Sequence, residues 1–182
     1  KNGGVASARN LGLEKSQGSF LAFVDPDDYL HPECISLLKK AVDETGAEIA
    51  YCHAMDVDSK TGETKTISGE TGAYRVISAD SYDWFDRMAH SVSWGTIYRR
   101  SVAEQVRFDE DLKIGEDTLF LAKCIHAAHN IVRVDRALYY YYINDDSVTS
   151  GRYTERKLDE LEAWRRVCQV FEDKPVVLET AQ

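Results

Sequence analysis

Three carboxylates follow an apolar run near the start of the chain, and their spacing could hold a metal ion. The run Phe20–Val24 leads directly into Asp25-Pro26-Asp27-Asp28. Five consecutive apolar residues are too few to span a membrane and too continuous for an amphipathic helix, so they predict a buried parallel strand. Ligands of open α/β sheets bind beyond the carboxyl ends of the strands, and Mg²⁺ or Mn²⁺ takes carboxylate ligands together with substrate phosphates. An acidic turn that caps the next helix is the alternative.

A second acidic cluster begins at Phe108 and ends in Gly115-Glu116-Asp117. Helical periodicity starts immediately after it, over residues 118–128. Acidic residues in the first turn of a helix commonly stabilise the helix dipole. The residues alone therefore leave a structural and a functional interpretation of Glu116 and Asp117 open.

The first residues form a glycine loop that leads into a short helix. Val5, Ala8 and Leu11 share one face of this helix. Gly3-Gly4 could place backbone N–H groups against a phosphate, but it lacks the spacing of a dinucleotide-binding or Walker motif. Arg9 is more suggestive, because a guanidinium group near the acidic strand end could pair with those carboxylates or with a diphosphate.

Strand and helix patterns alternate along the rest of the chain, which predicts an α/β domain. The predicted elements are a helix from Pro32 to Gly46, a strand over 48–57 with a hairpin turn at 58–62, a helix over 79–89 capped by Ser78, an extended segment over 94–98, strands over 131–134 and 137–143, and a C-terminal amphipathic helix with Leu158, Leu161, Trp164, Arg165 and Cys168 on one face. Trp84, Trp94 and Tyr98 could stack on sugar rings, although aromatic residues at such spacings are more often core residues.

Composition narrows the function classes further. A net charge of −9 and a pI near 5.0 argue against a nucleic-acid binder, which needs a basic face. The four cysteines are far apart without a Cys-x-x-Cys pair, which favours reduced thiols in a cytosolic protein. No apolar stretch approaches the roughly 20 residues of a membrane span. The chain starts at Lys1 in a glycine loop, so we expect it to be part of a longer protein.

Three motifs in order resemble a family 2 glycosyltransferase of the GT-A fold. They are Asn2-Gly3-Gly4-x-x-x-Ala8-Arg9-Asn10-x-Gly12, then Gly18-x-x-x-x-Phe23-Val24-Asp25-Pro26-Asp27-Asp28, then Gly115-Glu116-Asp117. Each motif is weak and the combination is specific. The resemblance implies a GT-A-like mixed sheet flanked by helices, with residues 1–150 as the later part of the catalytic domain and 151–182 as a helical extension. The nucleotide-binding strands of the family would precede Lys1.

The resemblance also implies an activity and a set of site residues. The enzyme would transfer a sugar from a nucleotide-diphosphate sugar, commonly a UDP-sugar, to a carbohydrate or glycolipid acceptor, with inversion and with Mn²⁺ or Mg²⁺. Asp27 would be the direct metal ligand, and Asp25 would lie nearer the ribose or sugar. Asp117 would be the catalytic base, with Glu116 beside it. Arg9, Asp28, Trp94 and Tyr98 are further substrate-binding candidates, and Ser147 and Thr149 are weaker ones.

Two other function classes remain open from the sequence. A metal-dependent phosphoryl or nucleotidyl transferase would also suit Asp-x-Asp at a strand end, given a Lys or Arg near the site. A non-catalytic domain could instead bind a partner through its tyrosine and acidic faces. We expect a cytoplasmic location, at most peripheral to the inner face of a membrane. An open sheet edge beside Phe20–Val24 would also make these 182 residues prone to self-association. We expect them to bind UDP weakly, because the family's contacts to the nucleotide base would precede Lys1.

Overall fold

A computed structural model describes residues 3–66, 71–82, 92–143 and 157–181. The helices are α1 (Gly4–Lys15), α2 (Cys34–Thr45), α3 (Arg100–Ala103), α4 (Glu116–Ala127), α5 (Lys157–Val170) and α6 (Pro175–Ala181). The strands are β1 (Phe20–Ala22), β2 (Tyr29–Leu30), β3 (Ile49–Asp58), β4 (Thr64–Thr66), β5 (Tyr74–Ser78), β6 (Thr96–Arg99) and β7 (Asn130–Ile143). The predicted helix over 79–89 falls largely outside these ranges; its first residues, Ala79–Ser81, form a 3₁₀ turn whose N-cap Ser78 accepts a hydrogen bond from the Asp80 N–H.

One mixed sheet organises the domain. Its strand order is β1-β6-β3-β7-β2, with β4 paired to β3 and β5 paired to β7. The long central strands β3 and β7 are parallel, and every other described strand pair is antiparallel. The predicted hairpin after β3 is confirmed. The two late strands are a single strand, β7, whose register against β3 shifts where Cys52 pairs with Val134 and His53 with Ala137.

Helices cover both faces of the sheet, as the α/β prediction requires. Side chains alternate along β3, so that Ala50 and Cys52 pack in one core cluster with α2. Ile49 and Tyr51 pack in the other cluster with α1, α4, α5 and α6. Because α5 and α6 share this second core, the helical extension packs as part of the same body. No helix in the described ranges combines the length and the apolar character that crossing a bilayer requires.

The prediction that Phe20–Val24 is a buried parallel strand is wrong. Only three of its residues form β1, which lies at one end of the strand order and is antiparallel to β6. Leu21 is buried, whereas Ala22 and Val24 are exposed. An apolar run shows that a strand has an apolar face but does not show how many neighbours the strand has. Among the described residues one edge of β1 is unpaired, which is the open edge expected from the sequence.

The apolar face of α1 that is visible in the sequence is not its buried face. Val5 and Leu11 are about half exposed, and the buried residues of α1 are Ala6 and Leu13. Arg9 and Asn10 lie on the inner side with Ala6 and Leu13, where they bind the acidic clusters and the backbone at Phe108. Polar anchoring therefore decides which side of α1 faces the domain.

The buried face of α5 also differs from its prediction. Leu158 and Leu161 are exposed, whereas Trp164 of the predicted set is partly buried against the core. The fully buried residues of α5 are Ala163 and Val167. Residues four apart lie on one side of a helix, so these two form a narrow inner stripe with small side chains. A small-residue stripe lets α5 approach the chain beneath it closely, which matters for the site.

Candidate functional site

The acidic turn after β1 is anchored to β7 by one tyrosine and one backbone amide. The Tyr139 hydroxyl donates to Asp28 Oδ2 at 2.7 Å and accepts from the Asp25 N–H at 3.2 Å. The Tyr142 N–H donates to Asp28 Oδ1 at 2.9 Å. Burial raises the pKa of Asp28, against the hydrogen bonds from Tyr142 and Tyr139 that lower it. Asp28 thus shapes the turn, and its substrate-binding role stays a prediction.

The other two carboxylates of the turn remain accessible. Asp27 is exposed and makes no hydrogen bond or ion pair with the described part of the chain. Asp25 is partly exposed, and its Oδ1 accepts from Arg9 Nη2 at 2.7 Å. The turn therefore presents Asp27 outward, whereas Asp25 is held by a cation.

The second acidic cluster lies at the buried start of α4. Gly115 is the N-cap of α4, with φ at 84°, a left-handed conformation that favours glycine. Glu116 is only 7% exposed. Asp117 Oδ1 accepts a hydrogen bond from the Thr118 N–H at 2.8 Å. The glycine turn and the first turn of α4 thus place Glu116 and Asp117 side by side at the positive end of the helix dipole.

Arg9 joins the two acidic clusters. Its Nη1 donates to Glu116 Oε1 at 2.9 Å while its Nη2 donates to Asp25 Oδ1. The guanidinium carbon lies 5.4 Å from the centre of the Phe108 ring. The predicted pairing of Arg9 with the strand-end carboxylates is therefore present. The bridge to Glu116 was not anticipated, because nothing in the local sequence relates positions 9 and 116.

The two clusters line one cleft of about 360 Å³. This volume lies in the range of small-molecule sites. The cleft is lined by Val5, Arg9, Asp25, Pro26, Asp27, Lys113, Ile114, Gly115, Glu116 and Asp117. A larger cavity of about 830 Å³ lies along the other side of α1, near Leu11 and Arg107, and none of the four cleft carboxylates lines it. The chemistry-bearing side chains therefore identify the smaller cleft as the candidate site.

Asp117 has the electrostatic character of a general base. Burial of its carboxylate, together with the neighbouring charge of Glu116, raises its pKa to about 7, and Arg9 opposes this shift. As a whole residue Asp117 is partly exposed, and it lines the cleft. A base is most effective when its pKa lies near the working pH and a substrate can reach it. The raised pKa of Asp117 and its place in the lining of the cleft agree with these requirements, and its role as the base stays a prediction.

A divalent cation would find an incomplete set of ligands here. Among the described residues, no cluster of three or more His, Cys, Asp or Glu side chains could hold a metal by itself. Mg²⁺ is often bound by one or two carboxylates, with substrate phosphates and water completing its shell. Asp27, with its exposed carboxylate, and Asp25 fit that second kind of site.

Two predicted aromatic platforms lie in the core. Tyr98 has no exposed surface, and its hydroxyl donates to the Ser93 carbonyl at 3.1 Å. Trp94 is 8% exposed and stacks on Tyr139 at 4.3 Å between ring centres. The substrate-binding prediction is wrong for Tyr98, because a ring without exposed surface cannot face a sugar, and the burial of Trp94 also argues against that role. Trp84, Ser147 and Thr149 lie outside the described residues.

Tyr139 and Asn10 are contributors that the sequence reasoning missed. Tyr139 lies in the strand predicted over 137–143, and its hydroxyl group contacts the acidic turn, because alternation along β7 directs its side chain to that side. Asn10 exchanges two hydrogen bonds with the backbone of Phe108, at 3.0 and 2.9 Å. A polar residue next to Arg9 on the same helix was the available signal for Asn10.

Comparison with known proteins gives one consistent family. The family model described as glycosyl transferase family 2 matches residues 1–107. The putative glycosyltransferase EpsH of Bacillus subtilis is 31% identical over 167 residues, which cover 88% of this chain and 47% of EpsH. The poly(ribitol-phosphate) beta-N-acetylglucosaminyltransferase TarS of Staphylococcus aureus is 30% identical over 155 residues, covering 84% of this chain and 26% of TarS.

Solved structures give the same fold. A crystal structure of S. aureus TarS residues 1–349 in complex with UDP-GlcNAc matches with a TM-score of 0.76 at 24% identity, over 98% of this chain and 50% of that chain. The predicted GT-A-like fold is thereby confirmed. The chain spans about half the length, or less, of the curated relatives it matches. The family model covers more than half of the chain, and the chain therefore belongs to glycosyl transferase family 2.

Proposed function

We propose that this chain carries the metal-binding and base-bearing part of an enzyme that transfers a sugar from a UDP-sugar to an acceptor hydroxyl with inversion. The observation that carries the proposal is the Arg9 bridge, which brings an exposed acidic turn and a buried acidic helix start to one cleft. Relatives that are named for glycan or teichoic acid synthesis, and a TarS complex with UDP-GlcNAc, support this choice of substrate class.

The two acidic clusters divide the chemistry between them. Asp117 accepts the proton of the acceptor hydroxyl as its oxygen bonds to the anomeric carbon, and the bond from that carbon to the diphosphate oxygen breaks. Attack from the face opposite the leaving group inverts the configuration. Asp27 and Asp25 would hold Mn²⁺ or Mg²⁺, which when bound supplies positive charge that stabilises the leaving diphosphate. A carboxylate that binds a metal is a poor base, so the division needs two clusters.

Arg9 and Glu116 support this arrangement as positioning residues. Arg9 satisfies Asp25 and Glu116 at once, which leaves Asp27 without a competing cation and Asp117 without a direct ion pair among the described residues. Glu116 adds negative charge beside Asp117 and so helps to raise the pKa of Asp117. The acceptor would be a carbohydrate or glycolipid, and the enzyme would act on the cytoplasmic side, at most peripherally at the membrane.

Product analysis tests the proposal. The full-length gene product is incubated with UDP-GlcNAc and Mn²⁺, with water standing in for the acceptor, and the released species are identified. Release of UDP and free sugar, with inverted configuration at the anomeric carbon, supports glycosyl transfer. Release of UMP and a sugar phosphate would show a phosphoryl or nucleotidyl transferase, for which Arg9 and Lys113 in the cleft would provide the cations. No release from any UDP-sugar would reject the proposal.

A further inference from the structure

Helix α5 crosses the loop that carries the acidic pair. The 108–117 loop runs from Phe108, where Asn10 binds its backbone, to Asp117 in the first turn of α4. It is largely irregular, so its shape depends on side chains from outside. Helix α5 supplies three of these contacts, and together they cover the loop from Asp109 to Gly115.

Arg166 on α5 forms ion pairs with two acidic residues at the start of the loop. Its Nη1 donates to Asp109 Oδ2 at 2.9 Å and its Nη2 donates to Asp111 Oδ2 at 2.6 Å. Its Nε donates to Glu162 Oε1 at 2.8 Å, one helical turn back. Lys123 of α4 also binds Asp109. The planar guanidinium group fixes the direction of each partner, which the point charge of a lysine would not do.

Two further contacts of α5 hold the end of the loop. Asp159 Oδ2 accepts a hydrogen bond from the Lys113 N–H at 2.9 Å. Ala163 packs on Gly115 so closely that a Cβ at position 115 would lie 2.6 Å from the Ala163 Cβ. Gly115 immediately precedes the acidic pair. A shift of α5 would therefore move Gly115, and with it Glu116 and Asp117.

We propose that α5 positions the acidic pair of the site, with Arg166, Asp159 and Ala163 as positioning residues. The proposal rests on the proposed function, in which Asp117 takes the acceptor proton. Helix α5 would then influence the rate of transfer, although no residue of α5 lines the cleft. Asn10 anchors the loop at Phe108, and Ala163 packs on it at Gly115. These two contacts fix the position of the loop where it joins α4.

Arg166→Ala in the full-length gene product is the central test, and Arg165→Ala is its matched control. Arg165 lies next to it on α5, is mostly exposed and pairs only with Glu162 among the described residues. Because small misplacements of catalytic groups cost up to about 10²-fold in rate, we expect Arg166→Ala to lower kcat for UDP-GlcNAc hydrolysis about 10- to 100-fold. KM for the donor changes by less than about twofold, because the acidic turn is untouched. Arg165→Ala keeps the wild-type kcat.

Two more variants separate positioning from general destabilisation. Arg166→Lys keeps the positive charge but lacks the planar set of guanidinium N–H donors. Its kcat should therefore lie between those of Arg166→Ala and the wild type. Ala163→Val leaves every ion pair intact but presses on Gly115, and should lower kcat without a change in donor affinity. Equal kcat values for Arg166→Ala and Arg165→Ala, measured per folded molecule, would overturn the proposal.

Amide hydrogen exchange gives a readout that does not depend on turnover. Positioning predicts faster exchange at the amides of Lys113, Thr118 and Leu119 in Arg166→Ala and unchanged exchange in Arg165→Ala. If wild-type protein releases no UDP but this exchange pattern appears, the proposed function fails and the positioning role stands. If the protein releases UDP and the exchange pattern is absent, the proposed function stands and the positioning role is overturned.

Discussion

The acidic turn after β1 and the acidic start of α4 carry the same functional group in opposite environments. Asp27 is exposed and unpaired among the described residues, on a turn tied down by Tyr139. Glu116 and Asp117 lie in a more buried position directly after Gly115, on which α5 packs, and Arg9 of α1 pairs with Glu116. An exposed carboxylate can give its charge to a cation that arrives with a substrate. The carboxylate of Asp117 instead has its pKa raised to about 7, because burial disfavours its charge.

Sequence patterns alone do not separate these environments. Both clusters are short acidic runs next to a regular element, and both could be helix caps. The two clusters differ in what lies over them. Asp27 is exposed to solvent, whereas helix α5 packs on Gly115, next to the acidic pair. The division of labour between a metal ligand and a base is therefore a property of tertiary packing, and each side of the comparison can be tested by substitution.

The largest effect should follow from removing the enclosed carboxylate. Asp117→Asn keeps the shape of the side chain but cannot accept a proton. Loss of a general base typically costs about 10²–10⁴-fold in rate. We expect a loss of this size in kcat for donor hydrolysis, measured by UDP release, while the affinity for UDP in the presence of Mn²⁺ stays nearly unchanged. Glu104→Gln, on an exposed position outside the cleft, is the control.

Wild-type turnover in Asp117→Asn would reject Asp117 as the base. A parallel loss of UDP affinity would instead place Asp117 with the donor, and the two clusters would then share one task. Either result breaks the comparison between the exposed and the enclosed carboxylate.

A smaller effect should follow from removing the exposed carboxylate. Asp27→Ala should raise the Mn²⁺ concentration needed for half-maximal activity and weaken UDP binding together, because the diphosphate would be held through the ion. A loss of only 1.4 kcal/mol in binding already gives a tenfold change. Calorimetric titration with UDP at several Mn²⁺ concentrations measures both effects.

The control for Asp27→Ala is Asp43→Ala on α2, an exposed carboxylate that pairs with Lys39. Surface ion pairs of this kind contribute little, so its Mn²⁺ and UDP titrations should match the wild type. An unchanged Mn²⁺ titration in Asp27→Ala would show that the acidic turn has only a structural role, like that of Asp28.

Local patterns predicted the elements better than their orientation. The apolar spacing of Ile35, Leu38, Ala41 and Val42 and the terminator Gly46 predict α2 to within a few residues, because helix periodicity and a left-handed C-cap are local properties. Ile35 is nevertheless 46% exposed. The apolar pattern does not give the buried face of α1 and gives that of α5 only in part. In α1, Arg9 and Asn10 turn inward to partners about a hundred residues away, and no local pattern contains those partners.

The candidate site was also predicted only in part, because a local pattern does not show which distant residues meet. The acidic clusters and Arg9 were identifiable from residue type and order, and the structure brings them to one cleft. Tyr98 was misassigned because an aromatic residue on a strand looks the same from the sequence whether it faces solvent or the core. The contact between Ala163 and Gly115 was invisible, since two small residues become informative only when their separation is known.

The smallest effect concerns stability and pH, and it tests the enclosure of Asp117 without substrate. The pKa of Asp117 is raised from 3.8 to about 7 in the folded chain. Between these two pH values the carboxyl group of Asp117 is therefore protonated in the folded chain and ionised in the unfolded chain. The folded state therefore loses stability as pH rises from about 4 to about 7, and above pH 7 the full cost of a buried charge remains.

Asp117→Asn removes that cost, so in metal-free buffer it should raise Tm above the wild-type value at pH 8 and leave Tm nearly unchanged at pH 4. Each kcal/mol corresponds to about 2–4 °C for a chain of this size, so an increase of a few degrees at pH 8 is expected by differential scanning calorimetry. Asp27→Asn, on an exposed carboxylate, is the matched swap and should shift Tm by no more than about 1–2 °C at either pH. If Asp117→Asn changed Tm equally at both pH values, the carboxylate of Asp117 would be as open to water as that of Asp27, and the contrast between the two clusters would disappear.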